Sequence, residues 1–231
     1  NMGKYFEALC SLNLYTLERP DDYVAKNAEG LIFDELKEYE RAVSCFDNVI
    51  NATSDDIDKD SRIKDLHIKA LSNKAMSLAN NKKYDTAQKI INHLNDDLKQ
   101  HRQSFVLDTE AFICIKKEDY KEAVKLLDQA ASTSTNDKYI SYHRGVAYSK
   151  LGKSRQALRN YNDAIEIDKN FAEAYNDKAA ELSKLGRYDE AREALELAIK
   201  SKPGLVTAHE NLIKISVRQQ SSPTFWEYWK S

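Results

Sequence analysis

Three aspartates at alternate positions, Asp56, Asp58 and Asp60, open like a calcium-binding loop, because carboxylates spaced by two can converge on one hard cation. The pattern does not continue. Ser61 stands where the turn glycine is needed and His67 where the closing glutamate would be, so an ordinary acidic loop is expected. Five histidines, at 67, 93, 101, 143 and 209, contain no i,i+4 pair and no H-E-x-x-H, which leaves a metal site without a motif. No serine sits in G-x-S-x-G, no cysteine stands beside a histidine, and no glycine-rich loop ends in Gly-Lys-Ser/Thr. Asn51-Ala52-Thr53 reads as a glycosylation sequon, but three widely separated cysteines, Cys10, Cys45 and Cys114, suit a reduced compartment in which they pack as small hydrophobes. The expectation is no enzyme, no metal and no cofactor.

The elements that would carry any site are helices. The chain has 231 residues, 42 % of them hydrophobic and 31 % charged, with 6 Gly and 3 Pro. Average usage would supply about 16 Gly and about 12 Pro, so a turn-rich β-fold is disfavoured. A net charge of −2, from 35 basic and 37 acidic residues, gives no general attraction to nucleic acid or anionic lipid. No apolar run approaches the roughly 20 residues that span a bilayer.

An internal repeat organises these helices. Ala8, Ala42, Ala87, Ala123, Ala157 and Ala191 are separated by 34, 45, 36, 34 and 34 residues. Three residues earlier stand Tyr5, Tyr39, Tyr84, Tyr120, Ser154 and Tyr188, and four later Leu12, Phe46, Ile91, Leu127, Tyr161 and Leu195. Twelve before, from the second alanine on, come the small residues Gly30, Ala75, Ala111, Gly145 and Ala179. Small residues at these places let two helix axes approach closely while their large neighbours interlock. Gly3, Gly152 and Gly186 fall just before a second helix, where a left-handed residue would end the first.

These columns resemble the tetratricopeptide repeat (TPR) family, most clearly over Ala172 to Leu205 through Tyr175, Ala179, Gly186, Tyr188, Ala191, Ala198 and Pro203. Lys178 and Arg144 depart from it, standing where the family usually has leucine. The resemblance implies an all-α fold, a right-handed α-solenoid of stacked antiparallel helix pairs, the TPR superhelix. Paired helices are predicted at 23–36/38–52, 61–80/83–99, 102–116/119–132, 138–151/154–168 and 172–185/188–201, with a lone second helix at 4–17 and a lone first helix at 205–219. As domains, this is a single solenoid over 1–221: a half repeat 4–22, full repeats 23–67, 68–103, 104–137, 138–171 and 172–205, the terminal helix, and then an aromatic tail, 222–231. Eleven extra residues between Asn51 and His67 are expected to form a solvated loop and to lengthen the next helix.

In the family the first helices line a concave groove, at positions 18, 15, 14, 11 and 7 before the alanine column. Those offsets give this chain an aromatic centre, Met76, Phe105, Phe112, Tyr139, Tyr142 and His143, and a basic column, Lys116, Lys150 and Lys184, continued by Arg218. Asp108, Glu173, Asp177 and Glu210 share the groove and dilute its field. The family's carboxylate clamp of Lys, Asn, Asn, Lys and Arg is absent from every window: the first reads Asn27, Leu31, Asn73, Phe105 and Thr109.

The tail brings Phe225, Trp226, Tyr228 and Trp229 to one side of a helix begun by Ser222 and Pro223. Three readings stay open: a cap over helix 205–219, docking into a partner or a second copy, or an aromatic belt before a membrane segment. The function expected is a non-catalytic scaffold, cytoplasmic or at the cytoplasmic face of a membrane. Its groove would bind a partner polypeptide rather than nucleic acid or a small molecule. The alternative is structural self-assembly or membrane tethering through the tail.

Overall fold

A computed structural model describes residues 2–98, 103–134 and 136–220, and the side chains of 7–98, 103–134 and 136–218. Among the described residues all regular structure is helical. The chain divides into two compact units, Asn1–Thr133 and Ser134–Ser231. The first holds α1 (Met2–Glu18), α2 (Tyr23–Glu35), α3 (Tyr39–Thr53), α4 (Ser61–Asn80), α5 (Tyr84–Leu98), α6 (Ser104–Lys116) and α7 (Tyr120–Thr133). The second holds α8 (Lys138–Lys150), α9 (Ser154–Ile167), α10 (Ala172–Lys184), α11 (Tyr188–Ser201) and α12 (Val206–Gln220). Each first helix packs against the second helix that follows it, and first helices also touch one another: α2 on α4 and α4 on α6 in one unit, α8 on α10 and α10 on α12 in the other.

The repeat columns are the core. Ala42, Ala87, Ala123, Ala157 and Ala191 are fully buried, as are Phe46, Ile91, Leu127 and Leu195 four residues on. A Cβ added at Gly30 would lie 2.5 Å from the Phe46 ring, and one at Gly145 would lie 2.6 Å from the Tyr161 ring. These glycines are therefore posts for close helix approach, with a large ring seated on bare backbone. Ala8 breaks the column: it is exposed, and Leu9 beside it is buried. The other alanines are buried against the first helix of their own pair, whereas α1 packs on α2 without such a partner among the described residues.

All five links between paired helices share one conformation. Lys37, Lys82, Glu118, Gly152 and Gly186, each five before its alanine, have φ of 63°, 61°, 66°, 74° and 75°. The following amide reaches back five residues to the helix, as Glu38 N to Phe33 O at 2.9 Å and Lys153 N to Tyr148 O at 2.9 Å. This is the 6→1 bond that closes a helix C-terminus around a left-handed residue. The sequence marked this turn at Gly152 and Gly186. Gly3 is not such a turn, since it lies inside α1.

The inserted residues form a short 3₁₀ turn, Ser54–Asp56, and α4 begins seven residues before its first-repeat equivalent would. Its cap is the Asp60 carboxylate, accepting from Arg62 N at 2.8 Å. Asp56 pairs with Lys59 and Asp60 with Arg62, so each is balanced by its own neighbour. Cys45 and Cys114 are partly buried, which pushes both thiols up to about 11, whereas Cys10 is exposed rather than packed.

Candidate functional site

The first helices of each unit present a face whose positions repeat at fixed offsets from the alanine column. The offsets at 15 and 14 form its floor, because they point at the neighbouring first helix and bond across it. Asn73 donates its amide to Asn27 Oδ1 at 3.2 Å, Tyr142 its hydroxyl to Asp177 Oδ2 at 2.8 Å, and Asn211 its amide to Asn176 Oδ1 at 3.0 Å. In every case offset 15 of one helix meets offset 14 of the next, forming a polar ladder between first helices. Ser72 and Thr109 occupy the same register between α4 and α6 but are too short to span it. Ser72 Oγ is buried without a partner, and Thr109 Oγ turns back to Phe105 O at 2.8 Å.

A second rung lies nearer the helix ends. In the first unit Asp34 accepts from Ser77 Oγ at 2.5 Å and from Asn80 Nδ2 at 3.2 Å. In the second unit Ser149 Oγ donates to Glu181 Oε1 at 2.5 Å, and Lys184 Nζ bonds the same carboxylate. The register is the same, but the acid and the serine have exchanged helices. Burial holds Asp34 above the usual carboxylate range despite its two donors. Burial also opposes the charge on Glu181, yet Lys184, Ser149 and Ser154 together hold that carboxyl below its ordinary value.

The predicted groove residues are distributed over this frame. In the first unit Met76, Phe105 and Phe112 are partly buried, Phe105 and Phe112 packing against the core beneath, and the Lys116 ammonium lies 4.8 Å from the centre of the Phe112 ring. Desolvation pulls Lys116 below its ordinary pKa, and Asp34 opposes it. In the second unit Tyr139 is 51 % exposed, while His143 is buried beneath it, with ring centroids 6.5 Å apart. Tyr142 is half-buried; its burial and Asp177 keep the phenol well above its usual range and thus a neutral donor. Burial, together with Glu173 and Glu181, raises Asp177, against the bonds from Tyr142 and Asn176. Lys150 and Lys184 are exposed. Phe225, Trp226, Tyr228 and Trp229 lie outside the described residues.

The groove set read from the sequence left out Leu31, which is 46 % exposed on α2. It holds offset 11, the same as Met76 on α4 and Phe112 on α6. Applying that offset to the first full repeat would have found it. Beside the insertion, a cavity of about 340 Å³ is lined by Ile57, Ile68, Leu71 and Leu94 with His67 and His93 at its edge. The His67 ring nitrogen Nδ1 lies 2.8 Å from Thr53 Oγ1, and burial lowers its pKa. Among the described residues no cluster is arranged to hold a metal, and no helix is long and apolar enough to cross a membrane.

Residues 139–171 and 160–193 each match the tetratricopeptide repeat family. The chain is a tetratricopeptide repeat protein. The fold of a thermophilic TPR protein from Thermus thermophilus superposes with a TM-score of 0.68 at 16 % identity, over 84 % of this chain and 99 % of that one. The first TPR of Spaghetti (RPAP3), bound to the HSP90 peptide SRMEEVD, superposes at 0.50 with 24 % identity, over 52 % of this chain and 94 % of that one. Among curated relatives, the Arabidopsis thaliana Hsp70-Hsp90 organizing protein 3 is 32 % identical over 88 residues, 38 % of this chain. Human serine/threonine-protein phosphatase 5 is 31 % identical over 97 residues, 42 % of it. The match spans 16 % of the length of the first relative and 19 % of the second.

Proposed function

We propose that this TPR protein is a non-catalytic scaffold that holds a partner polypeptide on its first-helix faces. One observation carries the reading: Leu31, Met76 and Phe112 occupy one register on three consecutive first helices, and Leu31 there is exposed. An apolar row above a floor that is bonded between α2 and α4 suits apolar anchors of a peptide or helix, with Phe105 extending it and Lys116 at its end. On the second unit Tyr139 is the open aromatic, the His143 and Phe171 rings lie beside it with Tyr142 next to His143, and Lys150 and Lys184 supply positive charge for steering.

An acidic chain terminus such as that of the HSP90 peptide is a poor fit to the first unit. Its clamp positions hold Leu31, Phe105 and Thr109, and Asn27 and Asn73 already bond each other. Peptides should therefore be selected by display against the whole chain and titrated beside SRMEEVD. The expected ligands carry apolar anchors at internal positions, and Phe112→Ala weakens them by roughly 2 kcal/mol or more. Selection of acidic C-terminal peptides, with binding indifferent to Phe112→Ala, would sink this reading.

A further inference from the structure

The inserted residues build the cavity beside them. Ile57 and Asp58 precede α4, and Lys64 and His67 fall within the seven residues by which α4 is lengthened, so the cavity belongs to the insertion rather than to the repeat. Ile68 and Leu71 continue the α4 lining, and Leu94 and Leu98 of α5 add to it. Ile68 and Leu94 are buried, whereas Asp58, Lys64, His93 and Asp97 are exposed. At about 340 Å³ the space exceeds the roughly 150 Å³ of an apolar cavity that takes up benzene. A two-ring molecule has room in it.

The bonding of one lining residue fixes its polar chemistry. Thr53 Oγ1 lies 2.7 Å from Val49 O and 3.2 Å from Ile50 O, which carry lone pairs only, so the single hydroxyl proton is directed to them. The 2.8 Å contact between Thr53 Oγ1 and His67 Nδ1 therefore takes its proton from the ring. Neutral His67 is thus the Nδ1–H tautomer, with a lone pair on Nε2. Around the cavity, Asp58 comes from the inserted segment, Lys64 from α4, and His93 and Asp97 from α5, while α3 brings the neutral Thr53 to the ring. Burial lowers the His67 pKa, with Asp97 opposing and His93 reinforcing it, so the acceptor persists at neutral pH. Asp97 lies 3.5 Å from His93, and Asp58 and Lys64 are of opposite sign, so the charged groups select no single ligand charge.

We propose that this cavity binds a neutral aromatic group bearing one hydrogen-bond donor, a phenol or an indole, with its ring among the five aliphatic side chains and its O–H or N–H donated to His67 Nε2. The aliphatic lining favours an uncharged ring. The acceptor favours a donor, because a bare hydrocarbon ring of the same size would leave Nε2 desolvated and unbonded. Thr53 is a positioning residue, since it decides which ring nitrogen keeps the lone pair. None of these residues belongs to the groove set, so the assignment is independent of the binding reading above.

Phenol, indole and benzene are the probes, titrated into the whole chain by calorimetry while the His67 ring resonances are followed. Phenol and indole should bind saturably, shift His67 and bind about tenfold tighter than benzene, the worth of one hydrogen bond. Lowering the pH from 7.5 to 5 protonates Nε2 and should erase that preference while benzene binding stays. His67→Phe should erase it as well, Thr53→Val should reduce it, and Ile57→Trp should block every probe with the melting temperature retained. Phe112→Ala, on the proposed groove, should change none of these affinities. N-acetyl-tyrosinamide distinguishes the source: binding equal to that of phenol assigns the group to a polypeptide side chain, and its exclusion assigns it to a free small molecule. Absence of saturable phenol or indole binding, benzene binding as tightly as phenol, a preference that survives His67→Phe, or binding untouched by Ile57→Trp would overturn the proposal.

Discussion

The two units use one set of registers to opposite electrostatic ends. In both, a rung joins the last turn of one first helix to the next, but the first unit places a lone acid, Asp34, under Ser77 and Asn80. The second places Glu181 between Ser149 and Lys184. The first carboxyl is raised by burial, and the second is lowered by its donors. Above the rungs both units share the polar ladder, and the contrast lies at offset 11, where the first unit has Leu31, Met76 and Phe112 and the second has Val146 and Ala180. A repeat therefore fixes where side chains meet without fixing what they say to one another, and neighbouring units can diverge in surface chemistry on one backbone.

Substitutions at the shared posts should have the largest effect and should hit both units alike. Gly145→Leu and Gly30→Leu each drive a side chain into a buried ring, and each should cost about 2–3 kcal/mol in a denaturant melt. A neutral result at either would mean that the second helix there can retreat. The next effect should separate the units. Glu181→Gln leaves buried donors facing a neutral amide and should cost about 1–3 kcal/mol at neutral pH. Asp34→Asn should cost less, because the native carboxyl is held in a setting that already favours its neutral form.

The pH dependence follows with opposite signs. A lowered carboxyl stabilises the fold above its unfolded pKa, so the Glu181 contribution is lost as pH falls through the folded value. A raised carboxyl does the reverse: Asp34 favours the fold when protonated, and that contribution is lost as pH rises from its unfolded pKa through the folded one. Melts from pH 3 to pH 7 should accordingly become less acid-sensitive in Glu181→Gln and more so in Asp34→Asn. Parallel curves for the two variants would erase the contrast.

The ladder sets the next scale. Tyr142→Phe removes one donor from Asp177 and should cost about 1 kcal/mol. In the first unit Ser72→Ala should be nearly neutral, because its hydroxyl is already without a partner. The smallest effect belongs to the turns. Lys37→Gly relieves a left-handed residue at the expense of unfolded-chain entropy, for a net gain of about 0.5 kcal/mol, whereas Gly152→Ala should lose about 1 kcal/mol.

The helix pairs and their close contacts were legible because small and large residues recur at offsets that only an α-helical pair explains. The first column member misled: Ala8 keeps the spacing, but spacing does not reveal whether a helix has a partner to bury it. The groove set was partly legible. Offsets identify which residues lie on the first-helix face but not whether they point outward or at the neighbouring first helix. Tyr142 and His143 therefore read as anchors although one is tied to Asp177 and the other is buried. Lys37, Lys82 and Glu118 gave no turn signal at all. A left-handed lysine or glutamate costs about 1–2 kcal/mol, which two packed helices can impose.

Those turns also carry a consequence for how the protein breathes. Three of the five left-handed links are held by residues with a Cβ, all in the first unit, and the two glycine links are both in the second. Strain concentrated at the ends of α2, α4 and α6 lowers the free energy of local opening there without changing the bonds that close the turns. Amide hydrogen exchange at Glu38, Lys83 and Asp119 should outpace that at Lys153 and Arg187, although all five amides make the same backbone bond. Lys116 stands two residues before the Glu118 turn and Lys184 two before the glycine turn at Gly186, so a segment bound near Lys116 would meet the more yielding backbone.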